Sequence, residues 1–148
     1  MVDWVLGMNA KLYWAAAATP APDVGDMDEV SNVRDLTVGL DAAKADVTTR
    51  ANAGWKASAP TLRSCKLDFE MLWKPGDTAF DALLAAFLAG GVVHLAALDN
   101  TNATVGAQGP KADFCITGFA REEKLEDAIK VKVTAEPAGV LAWEEVSA

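Results

Sequence analysis

Cys65-Lys66-Leu67-Asp68-Phe69-Glu70-Met71 alternates apolar and charged side chains with period two, the pattern of a strand with one buried and one wet face. Trp73 continues the buried set, and Lys74-Pro75-Gly76 stops the strand, because Pro removes a ladder donor and Gly permits a turn. Asp77 follows as a helix N-cap, its carboxylate placed to accept from the free amides of the first turn. The spacing predicts a helix over residues 78 to 89. Phe80, Leu83, Leu84, Phe87 and Leu88 form one stripe at i, i+3, i+4, i+7 and i+8, and Gly90-Gly91 ends it. Full burial of five such side chains contributes roughly 10 kcal/mol gross. Val92 to Leu98 is then almost continuously apolar and reads as a strand covered on both faces. Residues 61 to 98 therefore set the expectation of a sheet with one helix as its lid.

Working outward, Lys11 to Trp14 is a short first strand and Pro20-Ala21-Pro22 breaks what precedes it. Residues 1 to 28 read as an N-terminal arm and acidic linker. Trp4 and Val5 either pack locally or find a neighbouring subunit. Residues 29 to 40 contain the next strand, with Leu36, Val38 and Leu40 alternating against Asp35, Thr37 and Gly39. Asp23, Asp26, Asp28, Glu29 and Asp35 outnumber Arg34 here by four, half of the chain's net −8. That excess is either a solvated face or a functional acidic surface.

Residues 42 to 60 read as a long polar loop, longer than a compact domain holds without purpose. In it Trp55 is either an aromatic anchor for a partner or a cap on the core edge. Residues 99 to 110 form a polar turn region, and residues 112 to 120 a strand with Phe114, Ile116 and Gly118 on one face. Asp113, Cys115, Thr117 and Phe119 take the other. A charged turn over 121 to 127 precedes an alternating strand with Ile129, Val131 and Val133 inward, and a last short strand contains Trp143. Six to eight strands joined by turns, with one helix, imply a mainly β chain. The expected form is a single antiparallel β-sandwich or open barrel with one flanking α-helix, over 1 to 148.

Composition excludes several classes. The chain has 148 residues, enough for one core, and no apolar run of the roughly 18 residues that a membrane span needs. Without a basic segment at its start, it is expected to be soluble and unexported. Net negative charge argues against a nucleic-acid clamp, and is compatible with a duct that lets DNA pass without sticking. Cys65 and Cys115 are expected to be buried free thiols. There is no phosphate-binding glycine loop, paired-cysteine metal motif or nucleophile elbow. His94, the only histidine, reads as a core or interface residue. No catalytic residue, cofactor or metal ligand is assigned, and the chain is not read as an enzyme.

Four short pieces, in order, resemble a known family: Val33-Arg34-Asp35-Leu36-Thr37-Val38; Ala45-Asp46-Val47-Thr48-Thr49-Arg50 with Gly54-Trp55; Asp77 to Leu88; and Gly118-Phe119 followed by Leu125-Glu126-Asp127-Ala128. Together they resemble the tail tube (major tail) proteins of long-tailed bacteriophages, over about residues 30 to 136. The resemblance implies a sandwich or barrel with one flanking helix, similar to the inner tubes of type VI secretion and contractile injection systems. It implies hexameric rings joined edge to edge and stacked into a tube around a tape-measure protein, later the duct for the genome. Initiator (distal tail) and terminator proteins would meet the tube's ends, and the subunit would pass from host cytoplasm to virion tail. It makes residues 42 to 60 an inter-subunit loop, Trp4, Asp46, Arg50 and Trp55 candidate inter-subunit residues, and Asp35 and Asp41 candidates for an acidic lumen. The Ala-rich, Trp-bearing first forty residues depart from many relatives. Two alternatives stay open: a tail terminator or completion ring, and a small-molecule-binding barrel with a pocket lined by Phe69, Met71, Phe87 and Phe114.

Overall fold

The long strand that opens the decisive stretch is longer than its alternation alone implies. In the computed structural model, which describes residues 4–16 and 23–147, it runs Ser58–Leu72 (β4) and pairs antiparallel with Val33–Asp46 (β3). The remaining strands are Lys11–Ala16 (β1), Asp28–Glu29 (β2), Val92–Leu98 (β5), Gln108–Glu122 (β6), Lys130–Pro137 (β7) and Ala142–Glu145 (β8), and the helix is Thr78–Ala89 (α1). All pairings are antiparallel. They form one path, β2-β1-β5-β6-β7-β4-β3, with β8 added beside β6. The path does not close: β2 and β3 are its two margins.

A single apolar cluster joins Leu12 of β1 and Leu95 of β5 to Leu67, Phe69 and Met71 of β4. Strands so far apart in the path can share a core only if the sheet folds over on itself, so the architecture is a sandwich hinged on β6. The 15-residue β6 serves both halves, pairing with β5 and β8 through its first part and β7 through its second.

The helix forms where the sequence predicts. Phe80 N–H donates to the Asp77 carboxylate at 3.2 Å, and Gly90 closes the helix at φ 67°, a left-handed conformation that costs glycine little. Its stripe is only partly covered. Phe80 and Leu83 are buried and Leu84 packs on the core, whereas Phe87 is 38% and Leu88 73% exposed. About 6 kcal/mol, rather than about 10, is the fitting gross figure for its burial.

Phe119 corrects the reading of β6. The register slips between Ile116 and Gly118, so a β-bulge brings Phe119 opposite Val133, onto the core side. There it meets Phe80 edge-on at 6.1 Å and stacks on Phe87 at 6.0 Å. Trp73 is half-buried, edge-on to Phe80, with the Arg121 guanidinium 4.8 Å from its ring centroid.

The acidic stretch before β2 is also not a plain linker. Val24 and Met27 bury against Tyr13, Ala96 and Leu98 on the outer face of β1 and β5. Asn102 holds the segment there, its side-chain amide donating to Val24 O at 2.9 Å and its N–H donating to the Tyr13 hydroxyl at 3.0 Å. This second cluster covers β5 on both faces, as its continuous apolar run predicts. Ala17, Ala18 and Pro20-Ala21-Pro22 lie outside the described residues.

Gly109 and Pro110, expected in a turn, are buried in β6. A Cβ on Gly109 would stand 1.6 Å from Ala97 O, so only glycine lets β6 approach β5 here. Among the described residues, no helix is long and apolar enough to cross a membrane.

Candidate assembly surfaces

The β3–β4 ribbon dominates the exposed part of the molecule. β7 pairs with β4 only from Leu67 to Leu72; from Ser58 to Lys66, β4 pairs with β3 alone. At about 3.3 Å per residue these nine residues carry the ribbon on the order of 30 Å past the three-stranded region. Residues 42 to 60 are therefore not one loop: residues 42–46 and 58–60 belong to the strands, and the connection is 47–57. A two-stranded ribbon is at best marginally stable in water. This one also exposes Leu40 (57%), Leu62 (83%) and Trp55 (78%).

The tip is nonetheless built in detail. Thr48 N–H donates to the Asp46 carboxylate at 2.9 Å, the Thr48 hydroxyl accepts from Ala57 N–H at 2.8 Å, and Thr49 N–H donates to Asn52 Oδ1 at 2.6 Å. The bonds from Thr48, side chain first, hold the Asp46 carboxyl below the usual carboxylate range. A 3-10 turn at Arg50–Asn52 and a left-handed Ala53 (φ 52°) then turn Trp55 back toward β4. These local bonds fix a shape without a core behind it, which suits a surface completed by something else.

The structure brings Asp46, Arg50 and Trp55 together at this tip. Trp4, 95% exposed, is not among them: it precedes a 3-10 turn at Gly7–Asn9 leading into β1, in the other half of the sandwich. Asp35 and Asp41 are exposed on the marginal strand β3. Leu36, Val38 and Leu40 share one face of β3 as their alternation implies, opposite Phe69, Leu67 and Cys65. Two features escaped the sequence reading. That face loses cover progressively toward the tip. At the ribbon's root a groove of about 700 Å³ is lined by Leu40, Leu62, Cys65, Val140 and Leu141.

His94 is buried, its Nδ1 2.6 Å from Asp113 Oδ1, while its Nε2 has no partner among the described residues. The expectation of a core histidine holds for one nitrogen only. Cys65 is a buried free thiol, pushed up by burial; Cys115 is free and half-buried, donating to Glu136 O at 3.4 Å. Phe69, Met71 and Phe114, proposed as pocket walls, are packed in the core with at most 3% exposure.

No protein-family model matches the sequence. No curated protein matches it either. Solved structures do. A chain in the tail of an empty gene transfer agent particle, with C6 symmetry, superposes with TM-score 0.73 at 17% identity, covering 94% of this chain and 98% of that one. The SPP1 tail tube gives TM-score 0.73 at 12% identity, with 97% and 81% covered. The chain has the tail-tube fold. An extracellular contractile injection system, in its sheath–tube complex, matches with TM-score 0.65 at 9% identity, with 96% and 92% covered. The superpositions cover 94 to 97% of this chain. The tail-tube fold accounts for an open mainly β sandwich with one helix.

Proposed function

We propose that this chain is a tail tube subunit: a structural protein without catalytic residues that closes into hexameric rings stacked as a hollow tube. The observation that carries this reading is the superposition along nearly the full length of both chains on the tail of a C6-symmetric particle. Two unpaired sheet margins and a ribbon reaching about 30 Å beyond the three-stranded region support self-association on physical grounds. Such margins invite strand addition, and head-to-tail contacts that close make rings.

On this reading the ribbon, with Asp46, Arg50 and Trp55 at its tip, reaches a neighbouring copy, as does the segment bearing Trp4. Asp35 and Asp41 face the lumen, where like charge keeps DNA from sticking. The tape-measure protein fills the tube during assembly, initiator and terminator proteins bind its ends, and the subunit passes from host cytoplasm to virion tail without meeting a membrane. The test is the mass of the concentrated protein in solution, alone and seeded with lysate carrying the initiator complex. Assembly into multiples of six supports the reading, and a persistent monomer under both conditions removes it.

A further inference from the structure

Charge is distributed between the two halves of the sandwich in a way that single-chain stability does not explain. Between residues 42 and 64, Lys44, Arg50, Lys56 and Arg63 stand against Asp46 alone, a net +3 within a chain of −8. All four cations are exposed. None has an ion-pair partner among the described residues, whereas eight of the other nine Lys and Arg residues do. The one acid, Asp46, is occupied by Thr48. Counted over the whole ribbon, residues 39 to 66, Asp41 and Lys66 are added and cancel, so the net stays +3, and these four cations form no ion pair within the ribbon.

The complement lies at the opposite margin of the sheet. The 23–29 segment, the 99–108 connection and β8 form one continuous end, joined by Asn102 to Val24 O, by Gly106 N–H to Val146 O at 2.8 Å, and by Glu145 opposite Gln108. Seven acids lie on it. Lys11 pairs with Glu29 at 3.4 Å and Lys111 with Glu144 at 3.5 Å, leaving Asp23, Asp26, Asp28, Asp99 and Glu145 without a cation among the described residues. The end carries net −5. Asp26 and Asp28 are exposed, and Asp28 sits on β2, the free margin strand.

We propose that the basic β3–β4 ribbon of one copy docks on the acidic β2 end of a second copy, with Arg50 and Lys56 facing the surface that carries Asp26 and Asp28. This deepens the tube-subunit reading and rests on it. A nucleic acid is the weaker occupant, because the chain outside the ribbon carries −11 and repels a polyanion. A second copy brings −5 to meet +3. The contact joins two different surfaces, so it propagates from copy to copy and closes or extends by geometry alone.

Two exposed double variants test it: Arg50→Glu with Lys56→Glu, and Asp26→Lys with Asp28→Lys. Each full-length variant should keep the wild-type circular dichroism and lose self-association by about tenfold or more. Mixed in equal amounts, they set native ribbon against native end at one contact and reversed charge against reversed charge at the other, so the mixture should recover the self-association that each variant loses alone. Wild-type tubes with both variants also forming tubes, or a mixture that stays monomeric, overturns the docking and leaves the tube reading standing. Wild-type association that each variant loses and the mixture restores, but without rings or tubes, supports the docking and removes the tube reading. A short DNA duplex retained by wild type and not by Arg50→Glu with Lys56→Glu, with assembly unchanged in both variants, assigns the ribbon to nucleic acid instead.

Discussion

Replacing Gly109 with alanine should be among the most damaging single-methyl changes in this chain. The added Cβ would lie 1.6 Å from Ala97 O, 2.7 Å from Ala97 C and 3.3 Å from Leu98 Cα, all backbone atoms that no rotamer change can move aside. Relief to an ordinary contact near 3.4 Å requires β5 and β6 to part by roughly 1.8 Å. Two hydrogen bonds close this corner, Asp99 N–H to Gln108 O at 3.1 Å and Gln108 N–H to the Asp99 carboxylate at 3.0 Å, and both would lengthen beyond use. Overpacking strain of about 2 kcal/mol and about 1 kcal/mol for each bond give a loss of about 4 kcal/mol. For a chain of this size that lowers Tm by roughly 8–16 °C. Thermal denaturation followed by circular dichroism reads the shift. A Tm within 2–3 °C of wild type would refute the close approach of β6 to β5 and the buried path given to residues 108–110.

Phe119→Ala should cost about 2–3 kcal/mol in urea unfolding, because the bulge puts its ring between Phe80 and Phe87; an effect below about 0.5 kcal/mol would return Phe119 to the wet face. Asp77→Ala should remove about 1 kcal/mol by uncapping α1, with Asp77→Asn recovering most of it. Because Asp46 is held below its ordinary range in the folded tip, its contribution is fully present above about pH 4 and fades only as pH falls through the depressed folded value. Amide protection at Thr48 and Ala57, measured relative to free amides at each pH, should thus be steady from neutral pH to about pH 5 and fall only in stronger acid; Thr48→Ala, which keeps the backbone donor to Asp46 and loses the side-chain one, should weaken that dependence. Leu40→Ser with Leu62→Ser should leave monomer stability within about 1 kcal/mol, since both side chains are largely exposed, yet abolish assembly seen by light scattering.

The central stretch was legible because each local signal there agreed with its neighbours. Cys65, Leu67, Phe69 and Met71 turned inward as their alternation implies, Asp77 capped α1, and Gly90 ended it. What failed was whatever depended on a partner strand or on the chain's exterior. Phe119 could not be placed from period alone, since the bulge at Thr117 is a property of the β6–β7 pairing. The strands of residues 42–46 and 58–60 were hidden because Ala42, Ala45, Ser58 and Ala59 carry no amphipathic contrast: this outer part of the ribbon buries neither face within the chain. The stripe of α1 overstated burial at Leu88 for a related reason, as apolar spacing shows which face could be covered and not how far the cover reaches. Asp46, Arg50 and Trp55 share one tip because they lie within ten residues of one another, whereas the match between unpaired ribbon cations and unpaired acids near β2 needed the ion pairs of every other cation to be known.

Electron microscopy of the concentrated protein, alone and seeded with lysate carrying the initiator complex, tests the central claim most directly. The account expects hollow tubes of stacked six-fold rings in which each β3–β4 ribbon is ordered against another copy. Particles that remain single chains under both conditions, or assemblies in which the ribbon stays free in solvent, would contradict it.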